Sequence, residues 1–83
     1  MSLIYAAIGS ITTATRIAKE LSTRGIRASV VHTPPEINNG GCSYSVSVDE
    51  KNRHALELLA STGRYKIKKL YAANQDGGYN DLS

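Results

Sequence analysis

Two segments of helical period, each set between short β-favouring runs, write a strand–helix–strand unit twice within 83 residues. In the first unit Leu3-Ile4-Tyr5-Ala6-Ala7-Ile8 is a continuous apolar run closed by Gly9, the pattern of a strand covered on both faces or nearly so. Ser10 can cap the helix that follows, in which Ala14, Ile17, Ala18 and Leu21 recur at three- and four-residue spacing while Arg16, Lys19, Glu20 and Arg24 fall elsewhere around the cylinder. Gly25 stops this helix. Ile26 to Thr33 returns to β-favouring residues until Pro34-Pro35, neither of which can donate to a ladder, so Pro34 to Gly41 reads as a loop.

The second unit opens on the clearest strand in the chain. In Cys42-Ser43-Tyr44-Ser45-Val46-Ser47-Val48, strict alternation sends Cys42, Tyr44, Val46 and Val48 to one face and three serines to the other. Asp49 can cap a second helix, with Ala55, Leu58 and Leu59 as a core stripe beside Leu56 and Gly63 as its end. Tyr65 to Ala72 reads as the fourth strand, Lys66 and Lys68 alternating against Tyr65 and Ile67. Residues 74–83 are polar, contain glycine and show no period, so a mobile tail is expected there, with residues 1–73 as a single domain.

Short loops and right-handed crossovers make one packing of these elements economical. It is an α+β, ferredoxin-like β-α-β-β-α-β arrangement: a four-stranded antiparallel sheet in the order 4-1-3-2 with both helices on one face.

A chain of this length buries only about 60–65% of its unfolded surface, room for one thin core and no deep active site. Leu3 to Ile8 lacks a basic lead-in and falls far short of the ~20 residues of a membrane span, so a cytoplasmic protein without a membrane partner is expected. The net charge of +3 is spread along the chain, which favours weak attraction to acidic partners over dedicated nucleic-acid binding. Lys66, Lys68 and Lys69 would need stacking aromatics on the open sheet face to read RNA, and only Tyr44, Tyr65 and Tyr71 suit, with no characteristic motif around them. No carboxylate pair, triad or metal cluster is visible, Glu36 is an isolated loop acid, and neither an enzyme of its own nor a bound cofactor is expected.

Cys42 is the one cysteine, so it cannot form an internal disulfide, and His32 and His54 are too few to complete a metal site with it. In the topology above, the end of strand 1, the start of helix 1, the end of strand 2 and the starts of strands 3 and 4 share one edge. Gly9, Ser10, His32, Cys42 and Arg64 would be neighbours there. The free N–H groups from Ser10 through Thr12 and Thr13 and the charges of Arg64 and His32 would then lower the thiol pKa, and Gly40 and Gly41 would leave it open to a partner. Free cysteine is also among the most buried residue types, and Cys42 shares a face with Val46 and Val48, so an inert core thiol is the competing reading. The Gly9-Ser10 turn resembles an anion-binding element without a full phosphate-loop pattern.

Taken together, the strand–Gly9-Ser10 turn into an alanine-containing helix, the Gly25-Ile26 entry to strand 2, Thr33-Pro34-Pro35-Glu36-Ile37 and the Gly41-Cys42 step resemble a small bacterial family described as putative selenium/sulfur carrier protein-like, over roughly residues 4 to 72. The Thr-Pro-x-x-Ile element and its spacing to Gly-Cys are the most specific of these features. In that family glycine usually follows the cysteine, whereas Ser43 follows it here. The resemblance implies that Cys42 holds sulfur or selenium as a persulfide or selenopersulfide, received from a donor protein and passed to an acceptor. The alternative is a noncatalytic module that binds a protein or small ligand and merely packs its cysteine. Strand 2 at an edge, or an uncovered sheet face, could also pair with another copy of the chain.

Overall fold

Leu3–Ile8 forms β1 and takes the centre of the sheet, as its unbroken apolar run predicts. The computed structural model describes residues 2–38, 43–74 and 76–82. Along the chain follow α1 (Ile11–Thr23), β2 (Ala28–His32), β3 (Tyr44–Asp49), α2 (Arg53–Thr62), β4 (Lys69–Ala73) and β5 (Tyr79–Asp81). The sheet order is β2-β3-β1-β4-β5, every pair antiparallel. β1 runs against β3 from Leu3↔Asp49 to Ile8↔Tyr44 and against β4 from Ile4↔Ala72 to Ala7↔Lys69.

Alternation along these strands sorts the side chains. Ile4, Ala6 and Ile8 of β1, Val46 and Val48 of β3 and Leu70 of β4 meet Ala14, Ile17 and Leu21 of α1 and Leu56 and Leu59 of α2 in the main core. Burying each of the larger ones stabilises the fold by about 1.5–3 kcal/mol. At the end of α1 the Ile26 N–H reaches Leu21 O and the Gly25 N–H reaches Ser22 O, both at 3.0 Å, with Gly25 at φ +77°. This is a Schellman close, and it seats Ile26 beside the buried Leu21.

Four expectations are corrected. The sheet has five strands, not four, because the polar stretch after β4 turns back on itself: the Asn74 N–H donates to Gly78 O at 2.7 Å, Asp76 Oδ1 accepts the Gly78 N–H at 3.1 Å, and Gly77 sits at φ +92°. β5 then pairs with β4, Lys69 Nζ meets Asp81 Oδ2 at 2.9 Å, and Leu82 packs against the main core. A three-residue strand is too short to show a period in sequence.

The fourth strand begins at Lys69 and not at Tyr65, because the Ile67 N–H bonds back to Tyr65 O and so leaves the ladder. Tyr65 and Ile67 still pack on the core, so their alternation reports burial without pairing. Leu58 is 45% exposed and outside the α2 stripe, which Leu56 and Leu59 make. Asp49 caps a one-turn 3₁₀ segment, Glu50–Asn52, through the Lys51 N–H, and α2 starts only after it.

Ile17 is fully buried where α1 crosses the sheet. Replacing it by alanine is expected to lower unfolding stability by about 2–4 kcal/mol, read from denaturant midpoints at unchanged m-value.

Candidate functional site

The sheet face away from the helices is half covered, and the cover leads to the cysteine. Thr33 ends β2 by giving its N–H to Ser43 O at 2.9 Å, and its hydroxyl shares a 2.7 Å hydrogen bond with Ser45 Oγ, both side chains buried. Pro34 and Pro35 then turn the chain into a single 3₁₀ turn, Pro35–Ile37, which drops Ile37 onto Ala7 and Tyr71. Tyr5 and Tyr79 close round this second cluster with their rings edge to face at 5.8 Å. Burial, then the charges of Tyr5 and Glu36, push the Tyr79 phenol above its ordinary pKa. Thr33 to Ile37 is thus a strap across β1, built from the Thr-Pro-x-x-Ile element.

The strap delivers the chain to Asn38, and the chain returns at Ser43, whose carbonyl Thr33 already holds. Gly40, Gly41 and Cys42 lie outside the described residues, between these two anchors.

Around the return point the register Ile8↔Tyr44↔His32 sets the ends of β1 and β2 on either side of the start of β3. The His32 ring lies exposed against Tyr44 at 5.1 Å. Past Ile8, Ser10 caps α1, accepting the Thr13 N–H at 3.4 Å, and no acidic residue stands in the first turn. The Thr12 N–H precedes the first intrahelical bond, so this end keeps unsatisfied donors and partial positive charge. Ser10 and Thr12 are exposed and Thr13 is half-buried.

Arg64 is drawn elsewhere. Its guanidinium lies 3.5 Å from Glu20 Oε1, in the third turn of α1, and over the ring of Tyr65 at 5.7 Å. Glu20 also accepts the Tyr65 hydroxyl at 2.8 Å and Arg24 at 3.2 Å, so three side chains converge on one carboxylate. The structure therefore brings Ser10, His32 and Ser43 to one end of the sheet and ties Arg64 to the flank of α1.

His54 pairs with Glu57 on the outer side of α2, and no group of three ligating side chains occurs among the described residues. No helix of the described residues is long and apolar enough to cross a membrane. Of the three tyrosines considered for an open face, Tyr44 and Tyr65 pack with the helix-side core and only Tyr71 reaches the other side, where Tyr5 and Tyr79 join it. Those two were missed, although the period-2 position of Tyr5 within β1 carries the signal.

A model of the family described as putative Se/S carrier protein-like matches residues 4–72. The chain belongs to that family. The matched span of this Se/S carrier family member takes in Cys42, the strap and, but for Leu3 and Ala73, the strands β1 to β4. No curated protein and no solved structure matches the chain.

Two outcomes test this geometry. Thr33→Val removes the hydroxyl partner of fully buried Ser45, and unfolding stability is expected to fall by about 1–3 kcal/mol in denaturant titration. The hydrogen bond to Glu20, then burial and the Glu20 charge, raise the Tyr65 pKa above 10.0. The neutral phenol is the bound form, so stability from this contact is present below the ordinary pKa and is lost as pH rises through the raised one. In ring-resolved NMR titration Tyr65 should ionise above its ordinary pKa, and Glu20→Gln should bring it down.

Proposed function

We propose that the protein carries sulfur or selenium on Cys42, as a persulfide or selenopersulfide, between a donor and an acceptor protein. The observation that supports this reading is the family match across residues 4–72, a span that contains Cys42. The chain would act as a carrier and not as an enzyme, its cysteine supplied in a segment whose two ends are tied to the sheet.

In the loading step the Cys42 thiol gives its proton to solvent, and the thiolate attacks the outer sulfur of a cysteine persulfide on the donor. A sulfur–sulfur bond forms at Cys42, the donor's own breaks, and the donor cysteine leaves as a thiolate that takes up a proton. No net oxidation occurs. Unloading is the same exchange in reverse: an acceptor thiolate attacks the outer atom and Cys42 leaves. With one cysteine in the chain, the attacking thiol must come from the partner. Selenium in the outer position follows the same course. The first turn of α1, with free N–H groups, no acidic residue and a place at the same end as Ser43, supplies partial positive charge toward an anion formed there.

The test is to incubate reduced protein with a cysteine desulfurase and cysteine and to record intact mass beside Cys42→Ala. The expected result is a reductant-sensitive gain of one sulfur atom in the unaltered chain alone. No gain, together with a thiol that alkylates only after unfolding, would overturn the carrier reading in favour of a binding module.

A further inference from the structure

The strap covers only the upper half of the face away from the helices. Below it, a groove of about 620 Å³ opens across β2, β3 and β1, lined by Leu3, Arg27, Ser29, Ser47, Asp49 and Lys51 among others. This is the volume range of sites for small organic ligands, about 300–1,000 Å³. Ser29 and Ser47 are register partners, so their side chains stand side by side on the groove floor.

Ser47 is the informative residue. It is 7% exposed, its hydroxyl has no side-chain hydrogen bond among the described residues, and no fully enclosed side-chain oxygen there lacks a partner. Its Oγ must therefore reach the groove it lines, a polar atom in a nearly buried residue with no partner among the described residues.

The charges agree. Arg24, Arg53, Arg64 and Lys69 each have a carboxylate partner, whereas the side chains of Arg27 and Lys51, like those of Arg16, Lys19, Lys66 and Lys68, have no ion pair among the described residues. Arg27 and Lys51 both line this groove. Asp49 uses one oxygen on the Lys51 N–H, which leaves its other oxygen as an acceptor. Leu3, 41% exposed, adds an apolar wall. Two free cations suit a phosphate dianion, and serine hydroxyls with a carboxylate oxygen suit the hydroxyl groups of a carbon skeleton.

We propose that the groove between Arg27, Ser47 and Lys51 binds a phosphorylated sugar or polyol, its phosphate on the two cations and its hydroxyls toward Ser47, Ser29 and Asp49. The proposal does not depend on the carrier reading.

The test is an amide NMR titration of the full chain with ribose 5-phosphate, and in parallel arms with orthophosphate and with ribose, each up to about 10 mM. Ribose 5-phosphate should shift residues 27–29 and 47–52 with a Kd at least severalfold below that of either fragment. Arg27→Ala and Lys51→Ala, both at exposed positions, should each raise that Kd about tenfold, and Ser47→Ala about fivefold, while Lys66→Ala should leave it unchanged. No localised shift, shifts confined to the first turn of α1, or insensitivity to Arg27→Ala and Lys51→Ala would overturn the site. Equal affinity for orthophosphate and ribose 5-phosphate would overturn the polyol assignment.

Discussion

The burial of β1 from both sides is the constraint on which the rest of the structure depends. One side faces the helices through Ile4, Ala6 and Ile8, and the other carries Ala7, 2% exposed beneath Ile37 and Tyr71. A strand apolar on both faces cannot sit in a two-layer fold with one face in water unless something returns to cover it. The helices close the first side. The second is closed by a single isoleucine on a proline-shaped turn and by tyrosines from β4 and β5.

That cover fixes where the chain leaves the sheet and where it returns. A segment that must place Ile37 on the sheet, after leaving β2 through Thr33 and before re-entering at Ser43, has little freedom in where it begins and ends. The hydroxyl pair between Thr33 and Ser45 matters here for its position as much as for its energy, since both atoms are buried and neither has another side-chain partner among the described residues. The Thr33-Pro34-Pro35-Glu36-Ile37 element is therefore intelligible in packing terms: threonine to tie, proline to turn, isoleucine to plug.

Much of the fold was legible in the sequence because its signals were long compared with one period. The run Leu3–Ile8 gave β1 to the residue, and the Ser10 and Gly25 boundaries framed α1. The order of the first four strands follows from the two strand–helix–strand units. β5 was not legible: three residues carry no period, and the Asp76-Gly77 turn signal lay in a polar stretch that composition alone marks as tail. Sequence reasoning expected Ser10 and His32 at the end of the sheet where β3 starts, and they lie there, since topology decides that. It could not foresee that Glu20 would draw Arg64 aside, because the contact joins residues distant in the chain whose meeting depends on how α1 and the approach to β4 lie together. Ser47 escaped for a similar reason: its alternation marks a face, but only the partial reach of the strap shows that this end stays open.

The placing of β1 also fixes the order in which the sheet can be completed. Its ladder partners, Tyr44–Asp49 and Lys69–Ala73, are far along the chain, so during synthesis at about 5–20 residues per second the most apolar strand waits on the order of several seconds for its neighbours. Helix α1 can form locally in about a microsecond once its residues have emerged, and the stripe of Ala14, Ile17 and Leu21 can shelter one side of the waiting strand. The other side has no such early companion, since Ile37 and Tyr71 both arrive later. A nascent chain of this fold is thus most exposed to wrong pairing on the face that the finished protein covers with a single turn.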